Sequence, residues 1–514
     1  MSEPQRRAGG QPPDEIEGGF ILRRVLRIYE RSVRAALRHR WLTILGCLVI
    51  AAIGVVIYQH LQSDFLPAFD EGGFVVDFNA PPGTSLTESS RQLDQAEAII
   101  RANPDVASYS RRLGTQLGLF ITEPYRGDFL VKLKANRQHS TDEVIAAFRG
   151  EFNQRIPAVR WEFPGILSDL VGDLALTPDP IQIKIFSPDL NWLQRIAPHV
   201  EEQIKSIPGV VDTFDGLTKT GPSINVRVRS VDAERFGLTA NDLADAANTA
   251  LFGQISSHVL EGDRVVNIRV LGEPKSFGTL EALRNLQVRT PSGTSVRVSQ
   301  VANVRPEPSQ VELDREDLRQ EVAVTARLEG RDLGSAMAAI RAKLSQDTSL
   351  PRGSIEYGGL YQQQQESFRN LLMVLIMAVF LVFTVLVIEF RSFFEPVSIV
   401  FGAILALFGT VAALWITGTS LNIVSFLGAI IGVGIVAKNG ILMLDFVDHL
   451  RAEGLNLEDA LVRSGHRRLR PVLMTSLAAA LGMLPLAYGI GSGADMLRPL
   501  AIAVIGSLCI SVLL

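Results

Sequence analysis

The sequence predicts an α-helical membrane bundle of about six spans, the last one truncated, carrying a large α+β domain on one side. Three observations predict it. Apolar residues gather in long runs, basic residues flank those runs on one side only, and a long segment between the first two runs reads as alternating helices and strands. The 514 residues are 47% hydrophobic with mean hydropathy +0.21, too apolar on average for a purely soluble chain.

The spans come first. Five apolar runs, 41–58, 371–388, 396–416, 421–446 and 471–490, are long enough to cross a hydrocarbon core, and a sixth, 499–514, reads as short and incomplete. One such run can be a buried core helix; five in one chain argue for a bilayer. Orientation follows from arginines 23, 24, 27, 31, 34, 38 and 40 before the first span, Arg391 after the second, and Arg451, Arg463, Arg467, Arg468 and Arg470 before the fifth. Threading the chain alternately puts these segments on one side, which the positive-inside rule makes cytoplasmic, with Arg498 a mild exception. Residues 1–19 are polar and read as disordered. Residues 20–40 read as a basic amphipathic helix on the membrane surface and not as a cleavable signal, followed by the first span at 41–60. The final run, with no polar tail after it, suggests part of a longer polypeptide.

The segment 61–366 falls on the far side. Amphipathic helices end there at Pro104, Pro157, Pro208 and Pro351, each followed by a β-rich run, as expected where proline cannot continue the helical ladder. Ser85 with Glu88 and Ser140 with Glu143 fit capping boxes, and Ser187 with Pro188 fits an N-cap and first-turn proline. Alternating strands are expected at 73–78, 128–133, 181–186, 224–228 and 321–328. The order βαββαβ thus occurs twice, the ferredoxin-like split βαβ unit. The prolines lie 53 residues apart in the first copy and 143 apart in the second, so a subdomain is inserted near 229–315. The expected units are 61–175, then 176–228 with 316–366 around the insert, then 367–514 as five spans.

Composition excludes several functions. The 50 basic and 54 acidic residues are nearly balanced, which gives no nucleic-acid-binding surface. Two cysteines, Cys47 and Cys509, both in apolar runs, rule out a disulfide scaffold or cysteine-rich zinc site. Neither HExxH nor a phosphate-binding Gly-Lys-Ser/Thr loop occurs, and no nucleophile elbow. Gly432-x-Gly434-x-x-Ala437 lies mid-membrane without a preceding strand, so these glycines read as helix-packing contacts. His139, His199 and His258 show no ligand spacing and read as surface residues. No metal site, cofactor or enzymatic activity is expected.

One residue stands out. Lys438 lies eight residues before Phe446, about 12 Å inside the end of its apolar run at 1.5 Å per residue. A cation near a bilayer centre costs at least about 2.5–3.5 kcal/mol. Snorkelling to the interface is the bland reading; a cation paired with a carboxylate in a proton pathway is the functional one. Asn439 and Thr475 could hydrogen-bond in such a site. Glu389 and Asp445 are both near span ends, so the counter-charge would come from elsewhere.

The strings Val436-Ala437-Lys438-Asn439-Gly440-Ile441-Leu442, Arg468-Leu469-Arg470-Pro471, Met474-Thr475-Ser476, Phe65-Leu66-Pro67, Asp70-Glu71-Gly72 and Pro82-Gly83-Thr84-Ser85 extend over nearly the whole chain after residue 20. With one span, an outer domain and five further spans, the chain resembles the C-terminal half of resistance–nodulation–division (RND) efflux transporters. The outer opening is similar to the heavy-metal branch and Ala437-Lys438-Asn439 to the multidrug branch. The resemblance implies a proton relay through Lys438, Arg468 and Thr475, with Asn439 beside them, completed by paired aspartates on an N-terminal half. It also implies an inner-membrane homotrimer working with a periplasmic adaptor and an outer-membrane channel, its outer copies acting as porter subdomains and the insert as a docking subdomain. Cargo would be drugs or metal ions. Met337 is the one methionine of the outer domain, which disfavours copper or silver and leaves zinc-like ions. The competing readings are an RND-like lipid or protein-export accessory, and a non-transporting membrane-anchored module or inactive fragment.

Overall fold

The computed structural model describes residues 20–67, 69–117, 121–174, 179–218, 223–273, 279–307, 312, 314–491 and 493–513. The stretch 1–19, read above as disordered, lies outside the described residues. Two helices open the chain, α1 (Phe20–Arg38) and the apolar α2 (Arg40–Gln59).

A first sheet unit follows: β1 (Gly73–Asn79), α3 (Leu86–Ala102), β2 (Val106–Leu113), β3 (Arg126–Leu133), α4 (Thr141–Arg155) and β4 (Arg160–Glu162), with the antiparallel strand order β2-β3-β1-β4. Its helices start where the caps predict. Ser85 Oγ accepts from the Glu88 N–H at 3.3 Å, and Ser140 with Glu143 forms the full reciprocal box. The core is aromatic: Phe74, Phe129, Phe148 and Phe152 are fully buried, and the Phe152 and Trp161 rings lie 4.6 Å apart. The short α5 (Ile166–Leu174) closes this unit.

The second sheet unit begins with β5 (Ile181–Phe186), α6 (Leu190–Lys205) and β6 (Val210–Phe214). An inserted run then carries β7 (Ser223–Val228), α7 (Ser230–Arg235), α8 (Ala240–Leu251), β8 (Gln254–Glu261), β9 (Arg264–Val270), α9 (Leu280–Arg284), β10 (Gln287–Arg289), β11 (Ser295–Arg297), α10 (Val298–Val301) and β12 (Ala302–Glu307). The unit resumes with β13 (Asp314–Glu316), β14 (Arg319–Leu328), α11 (Leu333–Leu344) and β15 (Ile355–Gly358). The strands β6-β14-β5-β15 repeat the order of the first sheet. This core is aliphatic, with Ile181, Ile183, Ile185, Val324, Met337 and Ile340 all fully buried.

The outer domain departs from the expected pattern at Ser187 and at 224–228. Ser187 does not cap α6. Asp189 does, accepting from the N–H groups of Asn191 and Trp192 at 2.9 and 3.2 Å, while Ser187 Oγ accepts from the Asp189 N–H. Pro188 disfavours helical backbone at Ser187, and a carboxylate suits the positive helix start. The strand at 224–228 pairs with β12 and packs on the insert's own core around Leu243 and Val301, so it belongs with the insert. Alternation alone does not reveal which sheet a strand joins.

The chain returns through α12 (Leu360–Phe390), α13 (Phe394–Ile416), α14 (Ile423–Ala452), α15 (Leu457–Ala487) and α16 (Ala494–Leu513). With α2, six helices among the described residues are long and apolar enough to cross a membrane. The apolar runs misplace three starts, the first being α12, which begins at Leu360, ahead of its run at 371. α15 begins at Leu457 under an Asn456 cap, with Pro471 inside the helix, because hydropathy does not register its charged first half. α16 begins at Ala494 and has 20 residues, about 30 Å, so the last run is not short of a crossing.

α16 is the hub of the bundle, packed on α13, α14 and α15. Small residues permit it. A Cβ on Gly506 would stand 2.5 Å from the Gly409 carbonyl oxygen, and Thr410 Oγ1 donates to the Ala503 carbonyl at 3.0 Å. Gly432 of α14 abuts Ser507, as a packing glycine should, whereas Gly434 meets nothing within 4 Å. The linker after α2 ties the outer domain to the bundle. Ser63 N–H donates to Asp332 at 3.1 Å, Leu333 N–H to Asp64 at 2.9 Å, and Leu421 N–H to the Gln62 carbonyl at 2.8 Å.

Candidate functional site

Lys438 lies 15 residues after Ile423 and 14 before Ala452, at the midpoint of α14. The helix runs past Phe446 into the polar stretch with Asp448, His449 and Arg451, so its extra length lies beyond the apolar run and leaves the depth of the lysine within that run unchanged. Its neighbours on the helix wheel decide its setting. Gly428, Gly432, Val433, Val436 and Asn439 are buried against the bundle, while Leu427, Ile431, Gly434, Lys438 and Asp445 form an exposed stripe at helical spacing. No ion pair joins Lys438 to a carboxylate among the described residues.

The other residues of the expected relay lie on the seam between α14 and α15. Asn439 is buried and its Nδ2 donates to Ser476 Oγ at 3.3 Å, which clamps the two helices together one residue from both Lys438 and Thr475. Thr475 is exposed, and its hydroxyl donates to the Val472 carbonyl at 3.1 Å. Arg468 lies two turns along α15, half-buried, with its guanidinium 4.9 Å from the centre of the Phe446 ring. The structure thus pairs Asn439 with Ser476 across the seam, next in sequence to Lys438 and Thr475, while Lys438 itself lies on the open stripe and Arg468 about two turns away along α15.

A second polar site, absent from the sequence reading, lies between the two sheet units. A cavity of about 330 Å³ there is lined by Asp77, Asp169, Glu162, Asp179 and Arg327. Arg327 on β14 reaches across to Glu162 on β4 at 3.3 Å and to Asp179 at 3.5 Å. Burial opposes its charge, yet the carboxylates of Asp179, Glu162 and Asp77 outweigh burial and strengthen its hold on the proton. Burial drives Asp77 well above the usual carboxylate range, helped by the charges of Asp169 and Glu162. Burial and then Glu162 push Asp179 up to about 6 against the pull of Arg327. The signal in the sequence was Asp77 inside Phe74-Val75-Val76-Asp77-Phe78, a charge in an otherwise apolar strand. Its partners come from four other elements that only folding brings together.

One motif residue of the outer opening, Glu71, supports this cleft. Glu71 accepts from the Leu167 N–H at 2.8 Å, holding the start of α5, which carries Asp169. Near the mouth, Arg160 stacks 3.6 Å from the centre of the Phe214 ring, and Arg149 binds Asp212 through two hydrogen bonds of 2.8 and 3.0 Å. His139 and His199 each pair with one carboxylate at the surface, and Met337 is sealed in the second core. Among the described residues, no group of three or more histidine, cysteine or acidic side chains is arranged to hold a metal ion.

Comparison with known proteins places this architecture. The model of the AcrB/AcrD/AcrF family matches residues 16–514. The cobalt-zinc-cadmium resistance protein CzcA of Cupriavidus metallidurans is 30% identical over 496 residues, covering 94% of this chain and 47% of that protein. The nickel and cobalt resistance protein CnrA of the same organism is 26% identical over 510 residues, covering 94% of this chain and 47% of that protein. The crystal structure of a heavy metal efflux pump superposes with a TM-score of 0.84 at 26% identity, covering 96% of this chain and 51% of that one. The chain spans about half the length of the curated relatives it matches. A lysine at the centre of a spanning helix, two repeated sheet units and six apolar helices therefore belong to a membrane protein of the AcrB/AcrD/AcrF family, the RND permeases.

Proposed function

We propose that this chain is the C-terminal half of a proton-driven RND efflux pump of the bacterial inner membrane, with its large domain in the periplasm. The observation that carries the reading is Lys438, a cation at the middle of a spanning helix, on an open face beside the Asn439–Ser476 clamp. A charge at that depth calls for a carboxylate partner. The open stripe of α14 leaves room for a helix from an N-terminal half carrying paired aspartates. Proton movement through Lys438, with Thr475 and Asn439 beside it and Arg468 nearer the α1 end, would drive export. The half-length coverage of the relatives supports this division of labour.

The two sheet units would act as porter subdomains, 61–175 and 176–218 with 314–366, and the insert at 223–307, which includes the strand at 223–228, as a docking subdomain. Supporting a multi-chain assembly, every residue of the β8–β9 hairpin is exposed, including Leu260, Val265 and Ile268. Such an apolar surface fits contact within a homotrimer that works with a periplasmic adaptor and an outer-membrane channel. For cargo, we favour divalent metal cations over organic compounds. The single outer methionine, Met337, is sealed in the second core, so the outer domain presents no thioether for soft ions such as copper or silver. The names of CzcA and CnrA point the same way.

Lys438→Ala in the complete pump tests the proton route. Resistance to zinc and cobalt is expected to vanish while membrane abundance and trimer assembly persist; undiminished resistance would refute the assignment. Growth on organic dyes and bile salts in the same strains separates the cargo classes.

A further inference from the structure

We propose that the arginine face of α1 is a binding site for the phosphate headgroups of anionic phospholipids. Arg24, Arg27, Arg31, Arg34 and Arg38 recur at alternating steps of three and four residues. At 3.6 residues per turn they share a sector about 80° wide. All five are exposed. The one carboxylate of α1, Glu30, faces Arg34 at 3.2 Å and His466 at 3.7 Å, and Arg34 also meets Glu458 at 3.3 Å. No acidic residue of α1 lies alongside Arg24, Arg31 and Arg38 to neutralise the stripe.

Retention of basic residues on the cytoplasmic side explains arginines near a span, but it asks for no alignment. Here alignment is accompanied by two further features. Ile28, on the flank of the stripe, is 56% exposed, and Trp41 just beyond the helix is 74% exposed. Apolar side chains beside a cationic face are what an interfacial helix presents to a bilayer. α1 is also docked in a fixed orientation. The Tyr29 hydroxyl donates to the Leu461 carbonyl at 3.4 Å, and its ring fills the space over Gly465 so closely that any Cβ there would overlap it. The stripe is therefore held by α15 and presented as a rigid surface. α2 starts two residues after α1 ends, with Leu42, Leu45 and Leu48 exposed along it for acyl chains. Guanidinium groups pair with phosphate oxygens through two parallel hydrogen bonds, which suits a headgroup better than a diffuse counter-ion.

The test uses the full chain in nanodiscs of phosphatidylcholine with a minor fraction of phosphatidylglycerol. Spin-labelled analogues of each lipid report the motionally restricted fraction. The wild type is expected to favour phosphatidylglycerol, and this preference should fall as salt rises. The triple substitution Arg24→Gln, Arg31→Gln, Arg38→Gln is expected to reduce it about tenfold or more, since each arginine near an anionic surface contributes roughly fivefold. Millimolar inorganic phosphate should leave the preference in place; displacement would reassign the stripe to free phosphate and overturn the lipid site. A preference that survives the triple substitution, or that is absent in the wild type, also overturns it. If the variant fails to insert, the salt titration of the wild type decides, and indifference to salt counts against the site.

Discussion

Arg149 and Arg327 cross between the two sheet units in opposite directions, Arg149 to Asp212 and Arg327 to Glu162. Arg149 on α4 grips Asp212, whose side chain is 3% exposed and whose backbone takes φ 49°, a conformation unusual for a residue with a side chain. Removing the arginine strands that carboxylate. Arg149→Ala is expected to cost about 3–5 kcal/mol, as for other broken buried pairs, read as a lower denaturation midpoint in the fluorescence of Trp161. Asp179 gives a pH signature. Its folded pKa of about 6 lies above the ordinary 3.8, so the folded state keeps the proton longer than the unfolded chain. Its contribution is most favourable in acid and is lost as pH rises from the ordinary carboxylate range through about 6. Asp179→Asn is expected to flatten the fall in stability between pH 4 and 7. Parallel curves for wild type and variant would sink that assignment.

At the scale of elements, caps and glycines can be ranked by what they touch. Ser140 completes a reciprocal box at the start of α4, whereas Ser187 stands outside α6 and only supports its cap. Ser140→Ala is expected to cost about 1 kcal/mol and Ser187→Ala a few tenths, a contrast that urea titration of the two variants measures. In α14, Gly432 and Gly434 are equally suggestive in sequence but differ in surroundings. Gly432→Leu would force α16 away at Ser507 and should deplete the folded protein in membranes. Gly434→Leu, which meets open space, should leave this half intact.

For the whole molecule, that open face becomes the test of the proposed N-terminal half. If the stripe through Gly434 and Lys438 receives a helix from an N-terminal half, Gly434→Leu should impair pump activity without lowering the abundance of this chain. Cross-linking between cysteines placed at Ile431 and on the partner half would fall in parallel. Normal export by that variant would show that the stripe faces lipid. The linkage of Ser63 and Asp64 to α11 and to Leu421 gives a mechanical path between bundle and outer domain.

Apolar runs, proline stops and serine caps are local, and they determined by themselves the six helices among the described residues that are apolar enough to cross a membrane, where most outer helices begin and end, and that a split βαβ order occurs twice. Lys438 was also legible, because a charge within an apolar run conflicts with its surroundings wherever the chain folds. Helix ends made of polar and charged residues were not, so α12, α15 and α16 were read too short: hydropathy measures affinity for lipid, and helices continue past the membrane on backbone hydrogen bonds. The sheet joined by residues 223–228 and the cleft of Asp77, Glu162, Asp179 and Arg327 needed the tertiary structure. Strand pairing and ion pairing depend on distance in space, and no interval in the sequence encodes which of many alternating strands or scattered charges will meet.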